Sequence, residues 1–199
     1  MCFLKVNKTF RMVGVLALIV VVGIFYAFQS KNIETPKYKV LKTIDQVEIR
    51  VYPPMIVAQT YLNSKENVSS SNNGFRTVAN YIFGGNSKQQ KIAMTAPVIR
   101  AMGDSASLSF VMPSQYKRNE LPEPSDGQVQ LVEQSSKVLA VLSYGGFSDD
   151  EKIKKHANLL RQTLVSNRVE IVGPLLFMGY NAPWDAIDRR NEVAYEVKP

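Results

Sequence analysis

The chain has 199 residues, 45% of them hydrophobic and 10% aromatic, enough for one domain of ordinary size with a proper core and an appendage. Its formal charge of +7 is mild, and no basic cluster interleaved with aromatics points to nucleic acid. A single cysteine, Cys2, excludes an intramolecular disulfide framework, and with His156 as the only histidine the usual zinc ligand sets are excluded too.

Residues 12–28 carry no charge and form one apolar run. At about 1.5 Å per residue this run is just long enough to cross a bilayer when extended by its neighbours. Lys5, Lys8 and Arg11 precede it, which predicts a single-pass membrane anchor over residues 1–30, with the N-terminus cytoplasmic and the domain on the far side, periplasmic or extracellular. Export followed by cleavage is the alternative, although small residues are badly placed for a cut near residues 27–30. Residues 31–36 read as a polar tether and residues 37–199 as the domain.

Alternating apolar and polar residues predict strands at 38–44 and 47–52 around a turn at Asp45-Gln46, with a third after Pro53-Pro54. Phe75, Val78, Ala79, Ile82 and Phe83 fall at helical spacing after a polar run rich in capping residues, and Gly84-Gly85-Asn86 ends that helix. In Lys91-Ile92-Ala93-Met94-Thr95-Ala96-Pro97-Val98, proline constrains the backbone, so Met94 to Ala96 are expected to enter a sheet edge. Strands follow at 98–102 and 108–112. Residues 117–127, with Pro122 and Pro124, form the longest polar loop and the expected boundary between halves at about 37–116 and 128–199.

Beyond the loop the plan recurs. Strands at 129–133 and 138–144 lead to Ser148-Asp149-Asp150-Glu151, a capping-box signature, and then to a helix with Ile153, Ala157, Leu160 and Leu164 as its apolar stripe. Strands at 169–180 and 193–197 close the chain. The order implies an α+β fold: a pseudo-twofold domain with about eight strands in a curved antiparallel or mixed sheet, a distorted barrel, covered by two helices.

Few groups offer chemistry. No Ser lies in a Gly-x-Ser-x-Gly turn and no glycine-rich phosphate loop is present. Asp149, Asp150 and Glu151 sit where acids offset a helix dipole. His156 lies at the edge of its helix's apolar stripe, so packing or hydrogen bonding accounts for it, with iron ligation as the sharper reading. Met94, Met102, Met112 and Met178 read as core filling or as an adaptable wall for a flat apolar ligand. Tyr180, Pro183, Trp184, Arg189 and Arg190 lie in one loop region that reads equally as a place where aromatic and guanidinium groups meet an acidic ligand and as an ordinary surface loop with one docked Trp.

Glu48-Ile49-Arg50-Val51-Tyr52, Gly74-Phe75-Arg76 leading to Tyr81-Ile82-Phe83-Gly84-Gly85-Asn86, the Met-Thr-Ala-Pro-Val segment, and Gly179-Tyr180-Asn181 through Arg190-Asn191-Glu192-Val193 resemble the SOUL haem-binding protein family from about residue 38 to 197. The resemblance implies a duplicated eight-stranded barrel-like sheet with two helices and binding of haem or another tetrapyrrole on an apolar surface. Members that ligate iron through histidine place it at the position of Val51, so this chain is expected to bind without that bond, as other members do. The resemblance assigns the ligand-facing side of the first helix to Arg76, Asn80 and Tyr81, with Trp184, Arg189 and Arg190 as further cofactor-binding candidates. A binding module for another small molecule or a protein is the alternative. No catalytic residue is expected; haem breakdown would need an open iron position that His156 has no evident route to supply.

Overall fold

The computed structural model describes residues 33–62, 68–182, 185 and 188–198, the side chains of 68–70 excepted. In chain order the elements are β1 (Lys39–Ile44), β2 (Val47–Tyr52), β3 (Met55–Tyr61), α1 (Val68–Ile82), β4 (Val98–Ala101) and β5 (Ser107–Val111). They continue with β6 (Gln130–Gln134), β7 (Lys137–Gly145), α2 (Asp150–Ser166), β8 (Ile171–Gly179) and β9 (Arg190–Val197).

All nine strands belong to one curled half-barrel sheet in the order β1-β2-β7-β9-β8-β4-β5-β3-β6. Every pairing between these strands is antiparallel, so of the expected antiparallel or mixed sheet of about eight strands the antiparallel form is the one found, with nine strands. The edge strand β1 is folded onto the sheet by the expected two-residue turn, with Asp45 at φ 53°. Parallel pairs are avoided because α1 carries the chain from β3 to β4 with β5 between them, and α2 carries it from β7 to β8 with β9 between them.

Outward from the β4–β8 seam the order reads β4-β5-β3-β6 on one side and β8-β9-β7-β2 on the other. The first strand of each ββαββ run therefore pairs across to the other run: β2 lies against β7 and β6 against β3.

Strand alternation sorts the side chains onto two faces. On one face Val78, Ala79 and Ile82 of α1 pack against Ala58, Leu108 and Phe110. On the same face Ile153, Leu160 and Leu164 of α2 pack against Val47, Ile49, Leu142 and Val193. Each such aliphatic side chain contributes about 1.5–3 kcal/mol of burial. The opposite, concave face carries a smaller cluster of Tyr52, Leu139, Val141, Met178 and Ala194. α2 begins as its sequence requires, with the Asp149 carboxylate accepting from the Lys152 N–H at 2.8 Å.

Phe83 departs from its expected place in the core and is 61% exposed. α1 ends at Ile82, and the left-handed Gly84 (φ 116°) turns the chain before Phe83 can complete the apolar stripe. Asn86 then fixes the turn: its amide donates to the Tyr81 and Gln90 carbonyls, and its Oδ1 accepts from the N–H groups of Lys88 and Gln90. The loop at 117–127 docks on the same corner. The Tyr81 hydroxyl donates to the Pro122 carbonyl at 2.9 Å, Ser87 N–H to Glu123 and Ser125 N–H to Gly85, above a buried Leu121.

Among the described residues no helix is long and apolar enough to cross a membrane; the span expected over 1–30 lies outside them. Asn86→Ala removes four hydrogen bonds at a buried corner and is expected to lower the unfolding free energy by about 2–3 kcal/mol in denaturant titration. A change below about 0.5 kcal/mol would mean that the turn is held by other contacts.

Candidate functional site

The most concentrated chemistry lies on the concave face, where Glu192 of β9 is fully buried. Its Oε1 accepts from Arg50 Nη1 at 3.0 Å, from Arg190 Nη2 at 2.8 Å and from the Ser143 hydroxyl at 2.8 Å, while Oε2 accepts from the Tyr180 hydroxyl at 2.7 Å. Arg50, 3% exposed, also donates to Glu48 and to the Tyr52 hydroxyl. Its guanidinium lies 4.3 Å from the centre of the Tyr38 ring, and that of Arg190 lies 4.1 Å from the centre of Tyr180. The cluster thus gathers β2, β7, β9, the end of β8 and the segment before β1.

Burial alone would favour the neutral acid at Glu192, but the charges and hydrogen bonds of Arg50, Arg190 and Tyr180 outweigh it and hold the carboxyl below its ordinary value. Burial and the neighbouring Glu192 charge push the Tyr180 hydroxyl up, so it stays a donor. With both carboxylate oxygens engaged by donors, this arrangement joins strands; it offers no free base to a substrate.

Among the described residues, those expected to bind a cofactor do not come together. Arg76 and Asn80 are exposed on α1, which covers the convex face, whereas Arg190 belongs to the concave cluster. Tyr81 is 1% exposed and turned into the core, and burial pushes its hydroxyl up to about 12. Arg189 donates to the carbonyls of Ala182 and Asp185, with its guanidinium over Phe147. Pro183 and Trp184 lie outside the described residues.

His156 stacks on Tyr144 with ring centres 3.9 Å apart, and its Nδ1 pairs with the Lys152 carbonyl at 2.7 Å. This is the packing role that its helical position suggests. Val51 is half-buried and pairs across to Lys39 and Val138. Among the described residues no group of three or more His, Cys, Asp or Glu could hold a metal ion. Met112 and Met178 are buried in core clusters, Met102 packs against the α2 cluster, and Met94 is 39% exposed.

One feature is absent from the sequence expectations. Residues 34–38, the first part of them read as a free tether, form a strap bound to the domain at both ends. At one end the Glu34 carbonyl accepts from Ala96 N–H at 2.9 Å and its carboxylate accepts from Ser114 N–H at 2.8 Å. At the other, Tyr38 packs 5.2 Å from Tyr52 and its hydroxyl accepts from Arg190 Nη2 at 3.4 Å. Met94–Ala96 therefore meet this strap, through a bridge between Glu34 and Thr95, and Thr95 is tied to β5 by its hydroxyl donating to the Val111 carbonyl at 2.6 Å.

The strap walls an open cavity of about 1050 Å³ lined also by residues 53–56, 111–114, 116–118 and 133–135. Pro36 faces both this space and a smaller one of about 170 Å³ on the concave face, lined by Met55, Ile99, Leu176 and Met178 among others. Four prolines, Pro36, Pro53, Pro54 and Pro113, line this space, and in sequence Pro53-Pro54 stood out as a break between two strands.

A carboxyl whose folded pKa lies below the ordinary 4.5 contributes stability above that pH and loses it as pH falls through the folded value. Denaturant midpoints should therefore fall below about pH 4.5 in the wild type. Glu192→Gln should cost about 3–5 kcal/mol at pH 7, by stranding Arg50, and flatten that acid dependence. An unchanged acid profile in the variant would show that Glu192 does not carry it.

The SOUL heme-binding protein family model matches residues 33–196. The chain is 29% identical over 187 residues to "Heme-binding protein 2" of Mus musculus, covering 86% of this chain and 89% of that one. It is 28% identical over 180 residues to the Homo sapiens protein of the same name, with 82% and 86% covered. It is 27% identical over 154 residues to "Heme-binding protein 1" of Xenopus laevis, with 73% and 80% covered. In fold it is similar to the crystal structure of the EcmrR C-terminal domain, with a TM-score of 0.59 at 12% identity over 77% of this chain and 97% of that one. With its family model spanning the whole sheet and both helices, the chain belongs to the SOUL heme-binding protein family.

Proposed function

We propose that this protein binds haem or a related tetrapyrrole, non-catalytically, on an apolar surface with basic side chains and without a histidine bond to the iron. The observation that carries the reading is the family match across residues 33–196, supported by relatives named as heme-binding proteins over most of both chains. Two features of the residues fit the absence of a histidine bond. Valine at 51 has no atom that coordinates iron, and His156 spends one nitrogen on its own helix and one ring face on Tyr144.

Apolar area with nearby cations is what a tetrapyrrole with carboxylates requires. Two surfaces offer it: the outer side of α1, with Arg76 and Asn80 on the helix and the exposed Phe83 just past its end, and the cavity beside the strap. The residues fit the ring and its carboxylates better than they fit the iron, so they would bind and orient the macrocycle and exclude water from its faces. We further propose that residues 1–30 anchor the chain in a membrane with the domain beyond it, and that the two ββαββ runs are the halves of one duplicated domain.

Titrating the full chain with haemin should give a saturable Soret shift that is unaltered in His156→Ala. A flat titration would remove the tetrapyrrole reading, and a six-coordinate spectrum lost in His156→Ala would assign the iron to that imidazole. Protease added outside intact cells, after opening any outer layer, should digest the domain; full protection would reverse the proposed orientation.

A further inference from the structure

The strap cavity differs from an ordinary surface depression in how its charges are distributed. Apolar atoms come from Pro36, Met55, Ile56, Pro113 and the Tyr116 ring, so the walls suit a flat hydrophobic body. Its volume of about 1050 Å³ is ample for a molecule of drug size or larger.

Five charged side chains also line it: Glu34, Lys37, Lys117, Arg118 and Glu133. Two of these are already engaged. The Glu34 carboxylate accepts from Ser114 N–H, and Arg118 grips both oxygens of Glu123 at 2.8 and 3.2 Å. Lys37, on the strap, and Lys117, on the loop after β5, are exposed and take part in none of the ion pairs among the described residues. Two ammonium groups from separate segments thus border one apolar cavity, with Glu133 on the β6 edge as the carboxylate left to oppose an anion.

We propose that this cavity is the binding site for the ligand: a flat apolar molecule bearing two carboxylates, its body between the strap and residues 53–56 and its carboxylates on Lys37 and Lys117. The inference rests on the tetrapyrrole reading for the identity of the ligand and on the cavity alone for its place. It moves the site away from the outer side of α1, and it makes the segment directly after residue 33 one wall of the pocket. The strap is fixed at Glu34 and Tyr38, so Pro36 and Lys37 lie between two anchored points and are pre-positioned for binding.

The test uses the full chain and three probes: haemin, mesoporphyrin dimethyl ester, which lacks the carboxylate charges, and the dianionic aromatic dye bis-ANS. Lys37→Glu with Lys117→Glu should weaken haemin about tenfold or more, equivalent to about 1.4 kcal/mol or more, and leave the ester within about twofold. Glu133→Gln should tighten haemin about twofold. Both lysines are exposed, so thermal melting should stay close to wild type and loss of fold does not confuse the result. Haemin affinity that survives the double reversal but falls in Arg76→Ala overturns the site and leaves the tetrapyrrole reading standing. A wild type that ignores haemin, yet binds bis-ANS in a manner abolished by the double reversal, overturns the tetrapyrrole reading and leaves the site standing. Binding of neither probe overturns both.

Discussion

The fully buried carboxylate of Glu192 is the constraint on which the closed half of this sheet depends. A lone carboxylate could not remain ionised there, because removing it from water costs several kcal/mol even after relaxation. It is kept by donors from four places in the chain: Arg50 on β2, Ser143 on β7, Tyr180 after β8 and Arg190 on β9. Each donor comes from a strand or from the residue that follows one, so the carboxylate ties these segments together. The cost of burial becomes a requirement that β2, from the first run of strands, lie against β7 of the second. Tyr38 stacks over the same guanidinium, so the strap is held by the cluster as well.

This arrangement explains why the segments carrying the family resemblance contain so much charge and so little free chemistry. Glu48, Arg50 and Tyr52 of one signature meet Tyr180, Arg190 and Glu192 of another inside a single hydrogen-bonded cluster. Asn86 closes the turn after α1, Asn191 donates to the Gly146 carbonyl, and Thr95 ties the proline-containing stretch to β5. All of these side chains satisfy buried backbone or ionic groups whose exposure to an apolar environment would otherwise be costly. The signatures specify the scaffold, and the cavity takes its walls from residues outside most of them: Met55, Pro113, Lys117 and the strap.

Much of the fold was legible because it depends on local rules. Alternation located the strands, the 3.6-residue stripe located both helices, and Asp149 capped α2 as its position required. Strand neighbours were not legible, since β2 lies beside β7 through contacts distant in sequence, with Arg50 reaching past β7 to Glu192, 142 positions away. Phe83 continued the apolar stripe in sequence but not in space, because the helix stops one residue before it. The site was least legible of all. Tyr81 has the composition of a ligand contact, yet its ring fills the core and its hydroxyl serves Pro122. The strap consists of ordinary polar and proline residues whose role follows only from where Glu34 and Tyr38 are bound.

The central claim is that scaffold and ligand site are separate in this chain, the first resting on the Glu192 cluster and the second on the strap cavity. Hydrogen–deuterium exchange of the full chain with and without haemin addresses it most directly. Added protection confined to peptides covering residues 34–37, 53–56 and 112–118, with α1 and residues 188–192 unchanged, is the expected result. Protection centred on residues 76–83 or on 180–190, with the strap unaffected, would contradict it.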